Sequence, residues 1–121
     1  MVETKGKTII GLVEHVTFLG KKGGHHKQLS CLARIDTGAK RTSLDISLAK
    51  SLGIHPDGTH THIRSASGKT TRPLTEATVI LKGKRFHVEI NLIDRSHMKY
   101  QCIICRTILQ QGFLIDPAKE N

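Results

Sequence analysis

Leu29-Ser30-Cys31-Leu32-Ala33-Arg34-Ile35 runs into Asp36-Thr37-Gly38-Ala39, an apolar stretch that ends in an acid, a short branched hydroxyl residue and a glycine. The apolar stretch reads as a strand that delivers Asp36 to a turn. A carboxylate placed there can activate water. The Thr37 hydroxyl can hydrogen-bond across to a partner turn, and Gly38, without a Cβ, lets another backbone come close. The tripeptide alone is a common chance match, and its flanks strengthen it. Thr42 to Ile54 reads as a capped short helix, with Asp45 as cap over Ile46 to Leu52. Leu48, Ala49 and Leu52 fall on one face, and Gly53 suits the residue that ends the helix.

Chemistry at Asp36 asks for a second carboxylate. Two Asp side chains about 3 Å apart cannot both ionise, so they share a proton and titrate as a unit. One half is then a base toward water and the other an acid toward a carbonyl oxygen. The chain has no second Asp-Thr-Gly and no Asp-Ser-Gly. Asp57-Gly58-Thr59 has the same residue types in the wrong order, in a polar loop. A catalytic Asp36 therefore needs the Asp36 of a second copy, which a twofold axis through the site would supply.

The 121 residues fit one domain, residues 1–121. With no Trp, one Tyr and three Phe, the core must be built from Ile, Leu and Val. Nineteen Lys and Arg against ten Asp and Glu favour an acidic partner, with a simply solvated basic surface as the competing reading. The scarcity of base-stacking aromatics argues against nucleic acid. No stretch approaches the roughly 20 apolar residues of a membrane span, and no secretory apolar segment follows Met1 to Lys7, so a cytoplasmic protein is expected. Three cysteines, Cys31, Cys102 and Cys105, are an odd number and fit a reducing compartment.

Along the chain, Thr8 to Leu19 is β-rich, with Gly11 as a bulge or bend. Lys21 to Lys27 is a polar turn, and Gln28 to Ile35 returns as a strand. His55 to Thr61 is a loop. His62 to Pro73 reads as a hairpin with its tip at Ser67-Gly68. Glu76 to Leu81 and Arg85 to Ile93 flank a second turn at Lys82-Gly83-Lys84. Asp94 to Tyr100 is polar, Cys102 to Cys105 is strand-like, Arg106 to Gln111 makes a turn or two of helix, and Phe113-Leu114-Ile115 is a last strand. Many short strands between turn signals indicate an all-β barrel or sandwich.

The order Asp36-Thr37-Gly38-Ala39, Ser43, then Leu48-Ala49-Lys50-Ser51-Leu52-Gly53-Ile54 resembles the retropepsin-like aspartic proteases. Ile103-Ile104-Cys105-Arg106-Thr107-Ile108-Leu109 is similar to the apolar-apolar-Gly-Arg-x-x-Leu signature of that group. A closer resemblance is to the microbial branch labelled ATP-dependent zinc protease. It rests on Ile10-Gly11, Asp36 to Ser43, Ser67-Gly68 with Arg72-Pro73, and Arg106 to Leu109 with Phe113 to Pro117. The resemblance covers nearly the whole chain and implies an all-β, retropepsin-like acid-protease barrel with one or two short helices. It also implies a homodimeric aspartic endopeptidase with Asp36 catalytic and Thr37, Gly38 and Ala39 supporting its turn. Ser65, Ser67 and Gly68 would lie in a flap that closes over a polypeptide substrate. The family's setting adds a link to ATP-grasp ligases and points to an acidic or glutamate-rich substrate. The chain departs from the pattern at Cys105, where Gly is usual, and in the extra basic residue of Lys40-Arg41.

The zinc of the label finds little in the residues. There is no His-Glu-x-x-His, and Cys102-x-x-Cys105 is a single pair inside an apolar run, where Cys acts as a small buried hydrophobe. His25-His26 and His60-x-His62 read as solvated, so no metal and no cofactor are expected. The glycines form no phosphate-binding loop, and no Ser-His-Asp order is present. The competing function is a non-catalytic binding module on the same fold that holds an acidic partner through basic residues such as Lys21, Lys22, Lys40, Arg41, Lys69 and Arg72.

Overall fold

Two glycine-containing turns set the longest hairpins. The computed structural model describes residues 5–58, 60–65 and 68–119, with backbone alone for 60–65 and 68–70. Strand β1 (Thr8–Ile10) is followed by β2 (Val13–Lys22) and β3 (His25–Ile35). Gly23 and Gly24 join β2 to β3 with φ of 59° and 80°. Two successive positive φ values are what a two-residue hairpin turn matched to strand twist requires. The polar stretch expected to be a turn is thus mostly strand, with Lys21 paired to His26 and Lys22 to His25. Every residue from Lys21 to Gln28 is exposed, so no alternation of polar and apolar residues marks those strands.

Thr42 to Asp45 forms β4 and not the start of the helix. All four residues are buried, and their polar groups find partners inside the barrel: the Ser43 hydroxyl donates to Asn91 Oδ1 at 2.7 Å, and Thr42 Oγ1 accepts from the Cys105 N–H at 3.2 Å. Helix α1 (Ile46–Ser51) follows, capped by Asp45 as expected. Gly53 then turns the chain with φ of 70°. A Cβ on Gly53 would collide with the Lys21 carbonyl, and one on Gly20 with the Leu52 backbone, so these two glycines let the helix end lie directly on β2.

The remaining elements are β5 (His60–Ser65), β6 (Gly68–Leu81), β7 (Lys84–Ile93), β8 (Cys102–Ile104), α2 (Arg106–Leu109) and β9 (Phe113–Ile115). Strands β2, β3, β8, β4, β7 and β6 are neighbours in that order, and β6 pairs back onto β2 from Leu19↔Thr78 to Val16↔Leu81. The result is a closed, mixed six-stranded barrel, with β5 added to the outer half of β6 as a hairpin. Closure leaves few edges to protect. The interior is aliphatic as the composition requires: Val16, Leu44, Val79, Leu81, Ile90 and Ile104 are at most 1% exposed, and each such side chain contributes about 1.5–3 kcal/mol by leaving water. Cys102 and Cys105 are buried with them.

As short apolar runs at the two ends of the chain, Thr8–Ile10 and Phe113–Ile115 read from the sequence as having little to pair with inside one small barrel, which makes them candidates for a dimer interface. Instead they pair with each other in parallel, Thr8↔Phe113 to Ile10↔Ile115, as a separate two-stranded sheet. The buried Glu14 holds this end together: it accepts from the Gly11 N–H at 2.7 Å and meets Lys82 Nζ at 3.2 Å and Lys119 Nζ at 3.4 Å. Burial pushes its carboxyl up, but the hydrogen bond from Gly11 and the two lysines outweigh that, so its pKa is lowered. Among the described residues no helix is long and apolar enough to cross a membrane.

Candidate active site

The topology explains where Asp36 sits. β3 and β4 both pair with β8, which lies between them, so the chain leaving β3 at Ile35 must cross the end of β8 before it enters β4 at Thr42. Residues 36–41 are that crossing. The crossing is fastened at two points: the Asp36 N–H donates to the Ile104 carbonyl at 3.1 Å, and the Arg106 N–H donates to the Ala39 carbonyl at 3.0 Å. Within it the Ala39 N–H closes back on the Asp36 carbonyl at 3.2 Å, and the Gly38 N–H donates to Asp36 Oδ1 at 3.0 Å. One carboxylate oxygen is therefore oriented by its own turn.

Asp36 is half-buried, while Thr37 and Gly38 are exposed and Ala39 is half-buried. Among the described residues no other side chain hydrogen-bonds or ion-pairs with the Asp36 carboxylate. The turn thus presents one oriented acid, with its hydroxyl residue and glycine facing outward. Cys105, where glycine is usual, sits at φ −85°, a value any residue adopts, and its side chain joins the core. The substitution needs no unusual backbone there.

Beside the turn lies a cleft of about 340 Å³ lined by Lys40, Arg41, Val88, Glu89, Cys105 and Thr107. Arg41 Nε donates to Glu89 Oε1 at 2.8 Å across it. Lys40 has no carboxylate partner among the described residues, so the cleft keeps an uncompensated positive group on the same crossing that carries Asp36. The other basic residues singled out in the sequence fall elsewhere. Lys21 and Lys22 lie at the far end of the β2–β3 ribbon, roughly 30 Å along β3 from Asp36 at about 3.3 Å per residue. Arg72 is half-buried at the root of the β5–β6 hairpin, and its pKa is lowered by burial and then by the charge of Arg95. The Lys69 side chain lies outside the described residues.

The hairpin expected as a flap is present. β5 and β6 pair from His60↔Pro73 to Ser65↔Gly68, so Gly68 begins a strand and closes the hairpin opposite Ser65. Ser67, expected at its tip, lies outside the described residues. For the zinc named by the sequence resemblance, no three His, Cys, Asp or Glu side chains come together among the described residues, and Cys102 and Cys105 point into the apolar core. Sequence reasoning missed one carboxylate and half the role of another. Glu14 braces the termini. Asp45 caps α1 and also accepts from the Arg95 N–H at 2.7 Å, fixing the loop that follows β7. The capping pattern pointed to half of that role.

Compared with known families, residues 23–104 match the model described as "Aspartyl protease". The chain belongs to the aspartyl protease family. The match runs from the ribbon tip through the Asp36 turn and the β5–β6 hairpin to the end of β8. No curated protein matches the chain. Solved structures that share the fold include these three. A Legionella pneumophila protein of unknown function (DUF785) is 20% identical, with a TM-score of 0.56, over 92% of this chain and 94% of that one. The EIAV protease, in complex with the inhibitor HBY-793, is 24% identical with a TM-score of 0.51, over 68% and 76% of the two chains. The Simian Foamy Virus (mac) protease is 13% identical with a TM-score of 0.54, over 78% and 89%. At these identities the likeness speaks for the fold: a mostly β barrel with two short helices, as in the retroviral proteases.

Proposed function

We propose that this chain is one half of a homodimeric aspartic endopeptidase in which Asp36 of each copy supplies one carboxylate of the catalytic pair. The observation that carries the reading is the Asp36 turn. It is fastened at both ends to the β8–α2 region, orients its acid through the Gly38 N–H, and leaves Thr37 and Gly38 exposed for a second turn. Brought together, the two carboxylates share one proton; the ionised one takes a proton from water as it attacks the peptide carbonyl, and the protonated one donates to the carbonyl oxygen. Thr37 orients the paired turns and Gly38 permits their approach. The hairpin carrying Ser65 and Gly68 closes over the substrate and excludes water.

The substrate is a polypeptide with acidic residues near the cleaved bond, a reading supported by Lys40, which lines the cleft on the crossing that carries Asp36, and by the excess of basic residues in the chain. Membership of the branch labelled ATP-dependent zinc protease, a functional link to an ATP-grasp ligase, a glutamate-rich substrate and a cytoplasmic setting belong to the same proposal. They are supported by the sequence resemblance and, for the substrate, by the charge.

The test is hydrolysis of an acidic peptide library by the wild-type chain and by Asp36→Asn. The amide is nearly isosteric but cannot accept the proton from water. The expected result is complete loss of hydrolysis with an unchanged circular dichroism spectrum. A folded variant with full activity would overturn the mechanism, as would activity that chelators abolish and zinc restores.

A further inference from the structure

The outer end of the β2–β3 ribbon is an unusual place to find charge of one sign. Between Glu14 and Asp36 the chain has no acidic residue, and Lys21, Lys22, His25, His26 and Lys27 crowd the tip. The pairing register sets Lys21 opposite His26 and Lys22 opposite His25. Facing basic residues gain nothing from their neighbours and repel when both are charged. All five are exposed, and among the described residues none of the three lysines has a carboxylate partner.

The tip projects beyond the barrel wall. β2 pairs with β6 only as far as Leu19↔Thr78, and past that point Leu52 and Gly53 close against Gly20 and the Lys21 carbonyl, so the strand edge is covered there. An open groove of about 480 Å³ lies between Lys21 and β6, with His55 and Thr75 on its walls. Its acid, Glu76, is engaged with His87 at 3.3 Å. A chain laid in this groove is held through its side chains by the basic tip and not by strand pairing.

We propose that the ribbon tip and this groove form a docking site for an acidic, extended polypeptide segment, outside the cleft beside the Asp36 turn. Two features favour polypeptide over nucleic acid. The tip has no Phe, Tyr or Trp to stack on a base and no arginine to fork a phosphate. The tip lies roughly 30 Å from Asp36 along β3, whereas the groove extends to Glu76, the cross-strand partner of Glu89 in the cleft, so one extended chain can run from the tip along the groove to the cleft. The site's binding does not depend on catalysis. Its use as an exosite that tethers substrate rests on the endopeptidase reading.

The experiment measures binding of a fluorescein-labelled 14-residue peptide of alternating Glu and Ser by anisotropy, in the Asp36→Asn protein so that cleavage cannot intervene. The triple variant Lys21→Glu, Lys22→Glu, Lys27→Glu is compared with Lys7→Glu, Lys50→Glu, Arg85→Glu, which changes the same charge at exposed positions elsewhere. The ribbon triple should weaken binding at least about tenfold and the control less than about threefold, with the difference shrinking in high salt. Equal weakening by both triples, or no binding at all, would overturn the site. Tighter, ribbon-dependent binding of a 14-nucleotide RNA would overturn the choice of polypeptide. Peptide binding without hydrolysis by the wild type would retain the site and remove the endopeptidase reading.

Discussion

Replacing Glu14 with Gln should cost the protein a large part of its stability at neutral pH and almost none in acid. The side chain is only 3% exposed, and both of its oxygens are used: Oε2 takes the Gly11 N–H and Lys119, and Oε1 takes Lys82. The amide keeps an acceptor for Gly11 but loses both ammonium partners and sets its NH₂ toward one of them. Hydrogen bonds to charged groups contribute about 1.5–3 kcal/mol each, discounted here because the lysine ends are about a third exposed, which leaves about 2–3 kcal/mol in all. At about 2 cal/mol/K of unfolding entropy per residue, each kcal/mol moves the midpoint by about 4 °C in a chain of this length, so the expected loss is about 8–12 °C. The folded pKa of Glu14 is lowered. Its stabilisation is therefore fully present above the unfolded value of about 4.3 and disappears as pH falls through the folded value. Thermal unfolding of both proteins from pH 7 down to pH 2.5 should show the gap closing on the acid side. A variant as stable as wild type at pH 7, or a gap that widens in acid, would refute the reasoning.

Asp45→Ala removes the acceptor for the Ser47, Leu48 and Arg95 N–H groups, so urea denaturation should show a loss of about 2–4 kcal/mol. Gly20→Ala drives a Cβ into the Leu52 backbone and should cost about 1–3 kcal/mol in the same assay, whereas Gly24→Ala meets no atom and is limited to the strain of its positive φ. Ser43→Ala leaves Asn91 Oδ1 without its donor inside the barrel and should lower stability by about 1–2 kcal/mol without abolishing hydrolysis. Lys40→Glu should reduce cleavage of acidic peptides and spare neutral ones, measured as kcat/KM for matched substrates; an equal effect on both would count against a charge-reading cleft.

Much of the barrel was legible because its signals are local. The Asp45 cap, Gly53 after the helix, the Lys82-Gly83 turn and the break at Gly11 each follow from one or two residues and fell close to where they were expected. The Asp36 turn was legible for the same reason. What escaped depends on partners distant in sequence. β4 carries Thr, Ser and Asp on a fully buried strand, and Asn91, Cys105 and Arg95, dozens of residues away, supply partners that make that burial affordable. The ribbon hid its strands because both faces are polar and solvated, which removes the period-two pattern. The parallel pairing of β1 with β9 needs the barrel to bring the two ends of the chain together, and Glu14 meets Lys119 only once that has happened. Nothing near Glu14 in the sequence marks it as buried.

The central claim is that two copies of the Asp36 turn make one active site. A crystal structure of the protein at the concentration where it hydrolyses peptide measures this directly, as the separation of the two Asp36 carboxylates across the twofold axis. The account predicts about 3 Å, the distance at which the pair shares one proton. A protein that is active as a monomer, or dimers in which every Asp36 pair lies more than about 10 Å apart, beyond the reach of a shared proton, would contradict it.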